Sequence, residues 1–168
     1  DAVARVKMPA LARVFDRFAS GAPAAERHEF EAWRAAQGAD LMIGAELNIC
    51  GYPPEDLVLK PAFQARCRSA VEALARDTDD GGPAVIVGTP WHDGSALRNA
   101  ALLLGEGRIL ASRYKVDLPN YGVFDEKRVF AAGPLPGPVN FRGVRIGVPI
   151  CEDIWRLEPV ECISETGG

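Results

Sequence analysis

Val144-Arg145-Ile146-Gly147-Val148-Pro149-Ile150-Cys151-Glu152-Asp153-Ile154-Trp155 is an apolar run that stops at a cysteine followed by two acids. Val144 to Ile150 is mostly apolar or β-branched, which predicts a buried strand with Cys151 where the chain must turn. A nucleophile suits that place: its thiol points out of the sheet, and the following backbone N–H groups are free to face a developing oxyanion. Taken alone, Cys151 reads first as a small buried hydrophobe, the usual fate of a free cysteine.

The bulk properties narrow the setting. The 168 residues are 48% hydrophobic and 25% charged with a net charge of −4, which describes one globular domain able to bury a core. Without runs of Lys or Arg there is no reason to expect a nucleic acid or an anionic membrane as partner. No apolar stretch approaches the roughly twenty residues of a membrane span, and the N-terminus has no signal-peptide pattern. A cytoplasmic location is expected. Cys50, Cys67, Cys151 and Cys162 stand far apart without a CxxC pair, so neither disulfides nor structural zinc are expected. With only His28 and His92, a histidine-rich metal site or a Cys–His dyad has little material.

Residues 1–23 carry no clear period. Residues 24–37 are rich in Ala, Glu and Arg and meet Gly38, which predicts a surface helix bearing His28. Leu41-Met42-Ile43 reads as a short buried strand running into Gly44-Ala45-Glu46-Leu47. The Gly51-Tyr52-Pro53-Pro54 cluster forces a turn, and Pro54 can open a short helix with Glu55 and Asp56. From Pro61 to Thr78, the spacing of Phe63, Cys67, Val71, Leu74 and Ala75 predicts a helix. Ala84–Gly88, Ala100–Leu104 and Arg108–Lys115 read as three buried strands, the last two joined as a hairpin at Gly105-Glu106-Gly107. His92 reads as part of a surface turn. Residues 116–138, rich in Pro and Gly, predict a long functional loop, and Val139–Phe141 with Val144–Ile150 a second hairpin.

Glu46, Lys115 and Cys151 each close an apolar strand, and ligand sites gather at strand ends. If these strands are neighbours, the three side chains meet. A partly buried carboxylate can then take the thiol proton, while an ammonium favours the thiolate and the oxyanion that follows. A solvated strand-terminal acid and lysine are the plain alternatives.

Three runs change that balance: Gly44-Ala45-Glu46-Leu47 with Gly51-Tyr52-Pro53-Pro54-Glu55-Asp56-Leu57; Tyr114-Lys115-Val116-Asp117-Leu118-Pro119-Asn120-Tyr121-Gly122-Val123-Phe124-Asp125-Glu126; and Pro149-Ile150-Cys151-Glu152-Asp153-Ile154-Trp155. Together they resemble the nitrilase (carbon–nitrogen hydrolase) superfamily, and within it the glutaminase domains of glutamine-dependent NAD synthetases. The similarity runs from about Gly38 to the C-terminus, with Ala45 where the family usually has proline.

The resemblance implies an α/β fold, a four-layer α-β-β-α sandwich of which residues 1–168 hold the N-terminal portion. It implies Cys151 as nucleophile, Glu46 as general base and Lys115 as the oxyanion-stabilising cation, with the Glu152 backbone N–H as a second donor. Glu126 matches a family glutamate that orients the lysine, or it pairs with Lys127 or Arg128. Tyr121 matches a residue lining the glutamine pocket with Phe124 beside it, or both rings anchor the loop in the core. The implied reaction frees ammonia from glutamine for an ATP-dependent synthetase domain absent from this chain, which amidates deamido-NAD. Homo-oligomers are implied too. No cofactor is expected for the glutaminase step. ATP and Mg belong to the synthetase domain, since neither a phosphate-binding loop nor a GxGxxG run is present here. A stand-alone amidase and a catalytically silent fragment making oligomer contacts are the alternatives.

Overall fold

The computed structural model describes residues 38–168. The helix predicted over 24–37, His28, and the question of a first strand in 1–23 lie outside them. Four strands, β1 (Leu41–Ile43), β2 (Ala84–His92), β3 (Leu97–Gly105) and β4 (Arg108–Tyr114), form a sheet in the order β1-β2-β3-β4. β1 is parallel to β2 and the other pairs are antiparallel, so the sheet is mixed, as the pattern predicts.

A helix, α1 (Pro61–Asp77), makes the crossover from β1 to β2. Pro61 sits in its first turn, where a missing N–H costs nothing, and Cys67, Val71, Leu74 and Ala75 form its buried stripe. That stripe packs on Met42, Val85, Val87, Ala100, Leu102 and Leu104. The alternate residues Leu41, Ala84, Ile86 and Leu103 point to the opposite face, against Val139 and the half-buried Phe141, Ile146 and Val148. Because β2 loses water on both faces, it reads as a continuous apolar run.

β4 departs from the expected buried strand. Among the described residues it is an edge of the sheet, half-buried along most of its length, so it tolerates Arg108, Ser112 and Arg113. Its hairpin turn is as predicted, with Glu106 and Gly107 both at positive φ, 54° and 73°.

The largest correction concerns the opening stretch. β5 (Val139–Phe141) and β6 (Val144–Ile146) form a separate two-stranded ribbon, and β6 ends four residues before Ile150. Val144 is 48% exposed and Arg145 is exposed too. Among the described residues β6 pairs only with β5, which leaves one edge in water. Beyond Ile146 the chain leaves the ladder, and Pro149 has no N–H to extend it.

The long connection 116–138 contains a short helix, α2 (Glu126–Val129), and α3 (Leu157–Glu165) follows the cysteine. Leu47, Val58, Leu118 and Phe130 form a separate apolar cluster under the loops. Among the described residues no helix is long and apolar enough to cross a membrane.

Candidate active site

Glu46 follows β1 and Lys115 follows β4, strands separated by β2 and β3 rather than neighbours. They meet because the chain after β1 crosses over β2. The Gly44 N–H still extends the ladder, donating to Ile86 O at 2.8 Å. The segment then passes over Gly88, whose N–H donates to Asn48 Oδ1 at 2.7 Å and whose carbonyl accepts from the Ile49 N–H at 3.1 Å. A Cβ on residue 88 would lie 2.4 Å from Leu47 N and 2.5 Å from Ala45 O, so this crossing requires glycine. Leu47, at φ 50°, reverses the chain and buries its side chain in the cluster with Val58 and Leu118.

Lys115 is completely buried. Its backbone N–H donates to Asn99 O at 2.9 Å and its Nζ donates to Glu46 Oε1 at 2.7 Å and to Glu126 Oε1 at 2.8 Å. One ammonium between two carboxylates leaves an excess negative charge, and neutral donors supply the remainder. Asn99 Nδ2 donates to Glu46 Oε1 at 2.8 Å and to Glu126 Oε2 at 3.3 Å. The Tyr52 hydroxyl donates to Glu126 Oε1 at 3.1 Å. Burial works against the Lys115 ammonium, but the hydrogen bonds and charges of Glu126 and Glu46 outweigh it, and the lysine pKa is raised. Lys115 therefore holds its proton and acts as a fixed cation. Glu126, which the sequence also allowed to pair with Lys127 or Arg128, instead turns inward to Lys115 at 4% exposure.

Cys151 is exposed and has φ 48°, a left-handed conformation that a side-chain-bearing residue adopts only when its surroundings impose it. Asp153 imposes it. Only 1% exposed, its Oδ1 accepts the backbone N–H of Val116 at 3.0 Å and of Asp117 at 2.8 Å, and its Oδ2 accepts the Ile150 N–H at 3.1 Å. One carboxylate thus staples the turn bearing Cys151 to the strand end bearing Lys115. Burial raises the Asp153 pKa against the three N–H bonds and the Lys115 charge.

The Cys151 thiol and the Glu46 carboxylate share one cleft, close enough for the carboxylate to act on the thiol's titration. Partial desolvation of the sulfur and then the Glu46 charge raise its pKa, outweighing Lys115. The resting sulfur is a thiol beside a base, not a preformed thiolate. Both residues line a cleft of about 110 Å³ whose walls include Ile43, Ala101, Val148 and Pro149.

Tyr121 and Phe124 are not core anchors. Tyr121 is 56% exposed, and its hydroxyl donates to Glu152 at 3.0 and 3.1 Å. Phe124, half-buried, meets Tyr121 edge-on with ring centroids 5.5 Å apart, and Tyr52 at 6.4 Å. Glu46, Lys115, Glu126 and Cys151 come together, while Tyr121, Phe124 and Glu152 do not line that cleft. Sequence reasoning missed Asn99, Tyr52, Asp153 and Gly88. Asn99 offered the best signal, a polar residue immediately before the apolar run Ala100–Leu104.

Residues 8–161 match the carbon–nitrogen hydrolase family. The glutamine-dependent NAD(+) synthetase of Xanthomonas campestris pv. campestris is 45% identical over 147 residues, 86% of this chain and 25% of its own length. That of Rhodobacter capsulatus is 41% identical over 139 residues, 82% of this chain and 25% of its own length. The chain spans about a quarter of the length of these relatives. Among solved structures, the glutamine-dependent NAD+ synthetase of Acinetobacter baumannii, in complex with ADP, superposes with a TM-score of 0.76 at 34% identity, over 90% of this chain and 27% of its own. An amidase from Nesterenkonia sp. AN1, with acrylamide added at its active-site cysteine, superposes with a TM-score of 0.67 at 26% identity, over 86% of this chain and 56% of its own. These likenesses establish the nitrilase-type α/β fold.

Proposed function

Since the chain belongs to the carbon–nitrogen hydrolase family, we propose that it hydrolyses the side-chain amide of glutamine to glutamate and ammonia, as the glutaminase portion of a glutamine-dependent NAD synthetase. The observation that carries this reading is the buried Lys115 ammonium held at 2.7 and 2.8 Å between Glu46 and Glu126, beside a cleft lined by Cys151.

Glu46 removes the Cys151 proton as sulfur attacks the amide carbon, which matches a thiol that rests protonated. The developing oxyanion is stabilised by the Lys115 cation and by the backbone N–H of Glu152, the residue after the nucleophile. Glu46 returns the proton to the departing nitrogen, ammonia leaves, and a glutamyl thioester remains on Cys151. Glu46 then deprotonates water, which attacks the thioester, releases glutamate and restores the thiol. Glu126 keeps Lys115 aimed. Tyr121 and Phe124 form the glutamine side of the rim, with Tyr121 oriented by Glu152.

The ammonia serves an ATP-dependent synthetase region that amidates deamido-NAD to NAD, a reading supported by the likeness to glutamine-dependent NAD(+) synthetases at 41–45% identity. ATP and Mg act there, and the glutaminase step needs no cofactor. A cytoplasmic homo-oligomer completes the proposal.

The test is ammonia release from glutamine, beside a Cys151→Ala control and intact-mass detection of a glutamyl adduct. Ammonia or adduct that vanishes in the variant is the expected result. Turnover of small aliphatic amides with none of glutamine would favour a stand-alone amidase instead.

A further inference from the structure

Two sulfurs that the proposed reaction does not use meet elsewhere. Cys50 sits on the turn following Glu46 and Cys67 on the buried stripe of α1, and the fold brings them together although the sequence gives no reason to pair them. Both belong to the apolar cluster beneath α1 and line a cavity of about 260 Å³ with Ile49, Phe63, Arg66 and Ala70. Cys151 and Cys162 stand apart from this cavity.

The two thiols share this cavity and cluster closely enough for each to shift the other's titration. Cys50 Sγ also lies 3.5 Å from Leu47 O and 3.4 Å from Gly51 O, which fixes it on the turn. The contact with Cys50 lowers the Cys67 pKa against the effect of burial, and the Arg66 charge lowers it further. The same contact, with burial, raises Cys50. Two neighbouring sulfurs of this kind can serve as an attacking and a resolving thiol.

We propose that Cys50 and Cys67 form a dithiol modification site that an oxidant of the peroxide class converts to a disulfide, tying the turn next to Glu46 covalently to α1. The Cys67 thiolate attacks one peroxide oxygen, the O–O bond breaks, and the departing hydroxide takes up a proton as the first water. Cys67 is left as a sulfenic acid. The Cys50 sulfur attacks the Cys67 sulfur, the S–O bond breaks, and the oxygen leaves with the Cys50 proton as the second water. Each sulfur loses one electron and the peroxide gains two. The sulfurs must close to about 2.05 Å, and the movement falls on the turn bearing Cys50 rather than on the helix.

The test uses the full chain and needs no assay of catalysis. Reduced protein is treated with one equivalent of hydrogen peroxide, alkylated under denaturing conditions and digested for peptide mapping. The expected result is loss of alkylation at both Cys50 and Cys67, a cross-linked peptide joining them with a mass decrease of about 2 Da, and reversal by dithiothreitol. Cys50→Ser, which spares the buried helix position, should leave Cys67 as a sulfenic acid trapped by dimedone. Full alkylation of Cys50 and Cys67 with oxidation confined to Cys151 would overturn the proposal, and so would a cross-link from either one to Cys151 or Cys162.

Discussion

Lys115 and Cys151 address the same carboxylate from opposite physical situations. Lys115 has lost all its water and is held by two carboxylates within a ring of fixed donors, whereas Cys151 stands exposed on a strained turn. The buried side has its charges and hydrogen bonds set in advance, so it has nothing to reorganise when a new charge appears beside it. The exposed side keeps access and relies on Asp153, one residue behind the surface, for its shape. Rigidity and access are divided between two segments that meet at Glu46 and at the Asp153 staple.

Lys115→Met should break the buried side most severely. It leaves Glu46 and Glu126 facing each other without a cation, a cost of about 3–5 kcal/mol for a broken buried pair, read by urea denaturation together with loss of turnover. A loss below about 1 kcal/mol, the worth of an exposed pair, would mean that water reaches the cluster and that Lys115 is no more preorganised than Cys151. The sign with pH follows from the raised lysine pKa. The stability it brings is fully present below the unfolded lysine value of about 10.4 and is lost as pH rises through the folded value. The wild type should therefore lose stability over an alkaline range in which the variant is flat.

Asp153→Asn probes the link between the two sides. An amide oxygen can still accept from Val116 and Asp117, but the amide nitrogen cannot accept from Ile150. A loss of about 1–3 kcal/mol, the cost of one buried donor left unpaired, should accompany a lower kcat. Unchanged kcat at equal stability loss would reduce Asp153 to a fold element.

Glu46→Gln sharpens the comparison from the other side. The Glu46 charge helps to raise the Cys151 pKa, so its removal should shift the pH profile of Cys151 alkylation by iodoacetamide to lower pH. An unmoved profile would show that desolvation alone sets the thiol. Tyr121→Phe should have the smallest effect, raising KM for glutamine without altering kcat or the unfolding midpoint, because its hydroxyl bonds only the half-buried Glu152, at the exposed surface.

What was legible in the sequence follows local physics. The stripe Cys67, Val71, Leu74 and Ala75 announces α1, and the Gly105-Glu106-Gly107 turn announces a hairpin, because both are governed by residues close in sequence. Glu46, Lys115 and Cys151 stood out as polar ends to apolar runs. Their meeting was expected for the wrong reason, since β1 and β4 are not neighbours, and only the crossing at Gly88 brings the two residues together. Tyr52 sits 74 residues from its partner Glu126, and no local period reports such a bond. Asp153 was hidden beside Glu152, for two adjacent acids look alike until one is buried and the other is not. Val144 misled because a β-branched residue fits an exposed ribbon as well as a buried strand.

The backbone saddle at Gly88 has a consequence for mutational tolerance. Most tight contacts in a core involve side chains, and a neighbour can rotate or be trimmed to admit an extra methyl group. At Gly88 the opposing atoms are an amide nitrogen and a carbonyl oxygen of the main chain, which have no rotamer to retreat into. No second substitution elsewhere shortens a peptide unit. Position 88 therefore behaves as an all-or-none locus: any side chain there lifts the whole Ala45–Leu47 segment, and neighbouring positions offer no graded route to compensation.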